Sequence, residues 1–103
     1  MLIAAILLIA VSGCRAPFGG GASVTVVNGS EEPICDLLIS PADEDYWGSD
    51  WLADGETIAP GARRVIELAP GEYDLMALGC EQTEIDTLWG QAIDGPFIWT
   101  VEG

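Results

Sequence analysis

From Ser23 onward the chain reads as short extended runs broken by turn residues. "SVTVVN" (Ser23–Asn28) is rich in β-branched residues and stops at Asn28-Gly29-Ser30, a turn signal. "ICDLLIS" (Ile34–Ser40) sets Cys35, Leu37 and Ile39 on one face of a strand and Ile34, Asp36 and Leu38 on the other. Two echoes follow, Ile58-Ala59-Pro60-Gly61 and Leu68-Ala69-Pro70-Gly71. Each fits a type II turn, in which Pro presets φ and Gly takes the position with φ > 0. "ARRVIEL" between the echoes and "EYDLMALGC" after the second predict a hairpin. "TEIDTLWGQAI" places Thr83, Ile85, Thr87 and Trp89 on one face, and "PFIWTVE" does the same for Phe97, Trp99 and Val101. No stretch holds a helical period, and turn signals recur about every ten residues, the pattern of an all-β domain.

The fold class expected is a single small β-sandwich, immunoglobulin-like or transthyretin-like, with six to seven antiparallel strands over Ser23–Glu102. One segment breaks the alternation: "PADEDYWGSDWLADGE", Pro41–Glu56. Loops carried on a rigid β scaffold are where binding commonly sits, so this is the candidate functional loop.

The start of the chain follows a different pattern. Leu2 to Val11 are ten consecutive apolar residues, too few to cross a bilayer as a helix but the length of a signal-peptide core. Val11-Ser12-Gly13-Cys14 follows and resembles the lipobox of bacterial lipoproteins, whose cysteine is lipidated and becomes the new N-terminus. The usual basic residues are missing, since the α-amino group is the one positive charge ahead of Cys14. The resemblance implies a signal over 1–13, a lipidated Cys14 with a glycine-rich tether over 14–22, and a domain over 23–103. The competing reading is an ordinary hydrophobic strand. A diacylglycerol or palmitate-bearing Cys14 would anchor the chain to a cell-envelope membrane without spanning it.

Charge then narrows the partners. The 103 residues carry 17 acidic side chains against three basic ones and no histidine, a formal net charge of −14. Nucleic acid and anionic lipid bind through clustered Lys and Arg, so neither is expected as a partner. The charge permits solubility beside a membrane, attraction of a cationic protein, or adaptation to high salt. Three cysteines make sense if lipid takes Cys14, leaving Cys35 and Cys80 as a disulfide pair in an oxidising compartment. The rival is two separate thiols. Two thiols without histidine or close spacing make no zinc set.

The loop supplies a candidate binding set: Asp43, Asp45, Trp47, Asp50, Trp51 and Asp54. An irregular calcium site at Asp43, Asp45 and Asp50 is one reading and a solvated acidic loop the other; the spacing departs from an EF-hand. Trp89 and Trp99 fall on alternating strand faces and are expected in the core. Trp47 and Trp51 stand open between exposed anchors and pins that hold the loop to the sandwich. Arg63 and Arg64 are expected to pair with neighbouring carboxylates. Asn28-Gly29-Ser30 matches a glycosylation sequon but reads as a turn. Without histidine there is no Ser-His or Cys-His nucleophile, and catalysis is not expected.

Taken in order, Ser40-Pro41, Trp47-Gly48-Ser49-Asp50-Trp51-Leu52, Pro60-Gly61 and Tyr73-Asp74-Leu75 resemble a set of small exported bacterial β-domains of unassigned function. Arg often follows the last element there; this chain has Met76. The resemblance spans most of Ser23–Val101 and implies a fold and an exported setting, with no activity. The expected function is a membrane-anchored cell-envelope lipoprotein, a non-catalytic binding or structural module presenting the acidic Trp-containing loop. The alternatives are a small inhibitor of a cationic, lysozyme-like hydrolase and a calcium-dependent adhesion module.

Overall fold

Alternation of buried and half-exposed residues is cleanest in the first strand. In the computed structural model, which describes residues 21–103, β1 (Ala22–Asn28) turns Ala22, Val24, Val26 and Asn28 inward. It is followed by β2 (Asp36–Pro41), β3 (Arg63–Leu68), β4 (Gly71–Leu78), β5 (Glu84–Ile93) and β6 (Pro96–Val101). Two three-stranded sheets result, one ordered β3-β1-β6 and the other β2-β4-β5. The fold is all-β, consistent with a small β-sandwich. The first sheet gives the core Val24, Val26, Ile66, Leu68, Trp99 and Val101; the second gives Leu37, Ile39, Leu75, Ala77 and Ile93. Leu52 and Ile58, from the long connection between β2 and β3, complete the same core. The signal segment and the lipidation of Cys14 lie outside the described residues, as does the tether up to residue 20. Ala22, assigned to the tether, is already buried in β1.

Three expectations are corrected. The segments on either side of Pro70 do not form a hairpin, because β3 pairs with β1 and β4 pairs with β2 and β5. Apolar residues on both segments face one interior, so the chain crosses between sheets at Ala69-Pro70. The two Pro-Gly echoes therefore differ. Gly61 has φ 84°, and the Ala62 amide donates to the Ala59 carbonyl at 2.9 Å, closing the expected turn. Gly71 instead opens β4 and lies outside the positive-φ set. Second, the strands are not all antiparallel: β1 runs parallel to β6, with Val24 beside Phe97 and Val26 beside Trp99. A parallel ladder between the first and last strands is set by the path of the whole chain, which local composition does not encode.

The third correction concerns β5. Ile85 packs on the core, but so does Leu88, three positions on, and Trp89 is 69% exposed. A register shift between Ala77 and Leu78 of β4 puts an extra residue into β5 near Ile85. That bulge exchanges the faces of the residues after it, so Trp89 points out and not into the core. Trp99, the other tryptophan expected inside, is buried.

The Asn28-Gly29-Ser30 turn is an internal network. The Asn28 Nδ2 donates to the carbonyls of Glu32 and Ile58, both at 2.8 Å. Its Oδ1 accepts from the Ser30 amide at 2.9 Å and the Ser30 hydroxyl at 2.7 Å. The side chain is fully buried. Its amide is engaged as a structural tie between the end of β1 and the strand-like segment at Ile58, as the turn reading expects.

Candidate functional site

The loop from Pro41 to Glu56 is held against the second sheet by specific hydrogen bonds. Asp50 is the main one: its Oδ1 accepts from the backbone amides of Leu37 at 2.8 Å and Leu52 at 3.0 Å. The Trp51 amide donates to the Leu37 carbonyl at 2.8 Å, and its indole Nε1–H donates to the Ile39 carbonyl at 3.1 Å. Together they occupy the outer edge of β2 in place of a neighbouring strand. Farther along, Ile34 and Ile58 exchange backbone hydrogen bonds at 3.0 and 2.9 Å. Trp51 is thus a pin for the loop and not a free anchor, and Asp50 is a structural acceptor. Asp50→Ala is expected to cost about 1–2 kcal/mol by leaving the Leu37 amide without its partner. Asp50→Asn, which keeps an acceptor oxygen, should cost less than half of that. Urea melts of the two variants check this, and an Ala variant as stable as wild type would overturn the assignment.

The first half of the loop does something else. Ser40, buried at the end of β2, donates from its hydroxyl to the Tyr46 carbonyl at 2.9 Å. This draws residues 44–47 over the outer face of the second sheet. There Trp47 meets Trp89 of β5, ring centroids 5.5 Å apart and planes tilted by 55°. Trp89 is positioned from below by a second bulge, where the register shifts between Tyr73 and Leu75. Gly90 adopts φ 60°, and its amide donates to Asp74 Oδ1 at 2.8 Å. An open cleft of about 250 Å³ results, lined by Ser40, Tyr46, both tryptophans and the carboxyl-bearing Glu44, Asp45 and Asp74.

The structure brings together part of the expected set. Asp45 and Trp47 line the cleft. Asp43 lies in a different shallow groove, beside Pro70 and Tyr73. Asp54 is exposed at the tip of a turn in which the Glu56 amide donates to the Ala53 carbonyl at 2.8 Å. Asp43, Asp45 and Asp50 do not form the calcium set considered from sequence. Among the described residues no three acidic, Cys or His side chains come close enough together to hold a metal ion, and Asp50 is already engaged by two amides. Trp89, Asp74 and Ser40 lie outside the candidate loop read from the sequence, and Glu44 and Tyr46 belong to that loop without standing in its candidate binding set. The signal for Trp89 was present: a glycine inside a strand, here Gly90, marks a bulge that can re-aim its neighbour.

Cys35 and Cys80 are joined, with Cα atoms 4.9 Å apart. Arg64 pairs with Glu56, as expected for an arginine among carboxylates. The Glu56 carboxyl is held below its ordinary range by that guanidinium, with a smaller contribution from the Ala53 amide. The small stabilisation from this ion pair is therefore full above the ordinary Glu range and fades as pH falls through the lowered value. No protein-family model, curated protein or solved structure matches this chain.

Proposed function

We propose that this chain is a membrane-anchored lipoprotein of the cell envelope whose β-sandwich is a non-catalytic binding module. The observation that carries the binding half is the Trp47–Trp89 cleft, an aromatic pair kept on the outer face of a sheet whose other face forms the core. A tryptophan left 69% exposed and fixed by a bulge adds little to folding and much to recognition, where Trp is enriched. The sequence Val11-Ser12-Gly13-Cys14 behind an apolar run supports the anchor. The absence of histidine from all 103 residues leaves no Ser-His or Cys-His nucleophile pair, in keeping with a module that binds without turnover.

The anchor is tested by expressing the full chain in a bacterial host fed an alkyne-bearing palmitate analogue. The wild-type chain should take up the label and sediment with membranes, while Cys14→Ser should remain unlabelled. An unlabelled wild-type chain, or equal labelling of both, would overturn the anchor at Cys14.

A further inference from the structure

We propose that the Trp47–Trp89 cleft takes the guanidinium group of an arginine side chain on a basic protein partner, an inference that rests on the binding-module reading above. Four observations converge on that ligand. The exposed indole of Trp89 offers a π-face, and Trp is the ring that attracts a cation most strongly. Glu44, Asp45 and Asp74 bring carboxylates to the same cleft, so its charge selects a cation over a neutral or anionic group. A planar guanidinium satisfies both features at once, stacking on the ring and donating a fork of N–H groups to carboxylate oxygens. A volume of about 250 Å³ suits the end of one side chain and not an extended polymer.

The site is also built in advance. Gly90 and Asp74 fix the Trp89 wall, and the Ser40 hydroxyl on the Tyr46 carbonyl fixes the opposite one. Side chains already held in place lose little freedom on binding. No arginine of the described residues lines the cleft; Arg64 is engaged by Glu56. The net charge of −14 adds a long-range field that speeds encounter with a basic surface.

The test titrates the uniformly 15N-labelled full chain with N-acetyl-Gly-Arg-Gly-amide and with the same peptide carrying citrulline, the neutral isostere of arginine. Salt is kept near physiological strength, where diffuse attraction between exposed charges is screened. The arginine peptide should shift the indole N–H signals of Trp47 and Trp89 and the Gly90 amide along one saturable curve. Trp89→Ala should weaken it by about fivefold, through loss of the cation–π contact. Asp74→Asn, which retains an acceptor for the Gly90 amide but removes the charge, should weaken it by about tenfold. Citrulline should bind at least tenfold more weakly than arginine, by the same loss of charge. Equal binding of the two peptides would overturn the guanidinium assignment, as would shifts scattered over the acidic surface and indifferent to Trp89→Ala. Equal, saturable binding of both peptides at the Trp47 and Trp89 indoles would keep the cleft as a binding site for another group, whereas scattered shifts indifferent to Trp89→Ala would remove the binding-module reading itself, so the two failures are distinguishable, and neither touches the palmitate experiment.

Discussion

Replacing Asn28 with Asp is expected to destabilise the domain by about 3–5 kcal/mol and to lower its melting temperature by about 15–30 °C. The substitution is nearly isosteric, so packing is not the cause. Asn28 uses both amide hydrogens on carbonyls, those of Glu32 and Ile58, and its oxygen on Ser30. An ionised Asp would set an acceptor against two carbonyl acceptors in a fully buried position. It would either carry an uncompensated charge there or take up a proton, and a neutral carboxyl still offers one donor for two carbonyls. Either way a large part of the 5–15 kcal/mol that holds a small domain is lost. The pH dependence gives the mechanism away. Burial raises the folded-state pKa of the new carboxyl above its ordinary value, so the penalty relative to wild type is smallest below that ordinary value. It grows as pH rises toward the raised pKa and is constant beyond it. Paired urea melts at pH 4 and pH 7 check this. Equal stability of the two proteins at pH 7 would mean that the turn network does not tie β1 to the Ile58 segment.

How much of this could be read from the chain depends on whether the deciding physics is local. The all-β class, the strands at Ser23–Asn28 and Pro96–Val101, and the turn at Pro60-Gly61 follow from residues within a few positions of one another. The pairing of β3 with β1, and not with β4, does not. It is decided by which apolar faces meet across the interior, and Pro70-Gly71 looks the same whether it closes a hairpin or begins a crossing. Trp89 shows the same limit more sharply. Its alternation with Ile85 and Thr87 is real in the sequence, but one extra residue in β5 exchanges the faces between Ile85 and Leu88. The consequence reaches function, since the tryptophan expected to fill the core walls the cleft instead.

The loop divides along similar lines. Its acidic and aromatic composition marked it as the region to watch, and Asp45 and Trp47 do line the cleft. Composition could not separate carboxylates that face a ligand from those that hold the backbone. One of the two sequence readings groups Asp50 with Asp43 and Asp45 as calcium ligands and the other leaves it solvated, yet it substitutes for a missing strand at the edge of β2. The other wall of the site comes from Asp74 and Trp89, on strands distant in sequence from the loop. Only the register of the second sheet brings them beneath it.

Removing the Cys35–Cys80 bridge is expected to cost about 2–4 kcal/mol, a fall of about 10–25 °C in melting temperature. The bridge joins the residue before β2 to the residue two past the end of β4, where the Cys35 amide already donates to the Leu78 carbonyl at 2.9 Å. In the folded state it therefore adds little that the β2–β4 ladder does not supply. Its effect falls on the unfolded chain. The 45-residue separation encloses β2, the long loop, β3 and β4, and closing a loop of that size removes about 4 kcal/mol of denatured-state entropy in the chain model. The loop takes in strands of both sheets, so an unfolded chain with the bridge intact keeps both halves of the sandwich near each other. The surface charge sharpens the expectation. At low salt the 17 carboxylates repel one another, and that repulsion weighs most on a domain already deprived of its cross-link. The Cys35→Ser/Cys80→Ser double variant should therefore lose more stability in 10 mM NaCl, where charges are screened over about 30 Å, than in 500 mM, where they are screened over about 4 Å. Thermal melts of oxidised wild type, reduced wild type and the double variant at both salts provide the check. Reduced wild type and the double variant should coincide, and a double variant melting within about 3 °C of oxidised wild type, less than a 1 kcal/mol change produces, would mean that the sheets alone hold this domain.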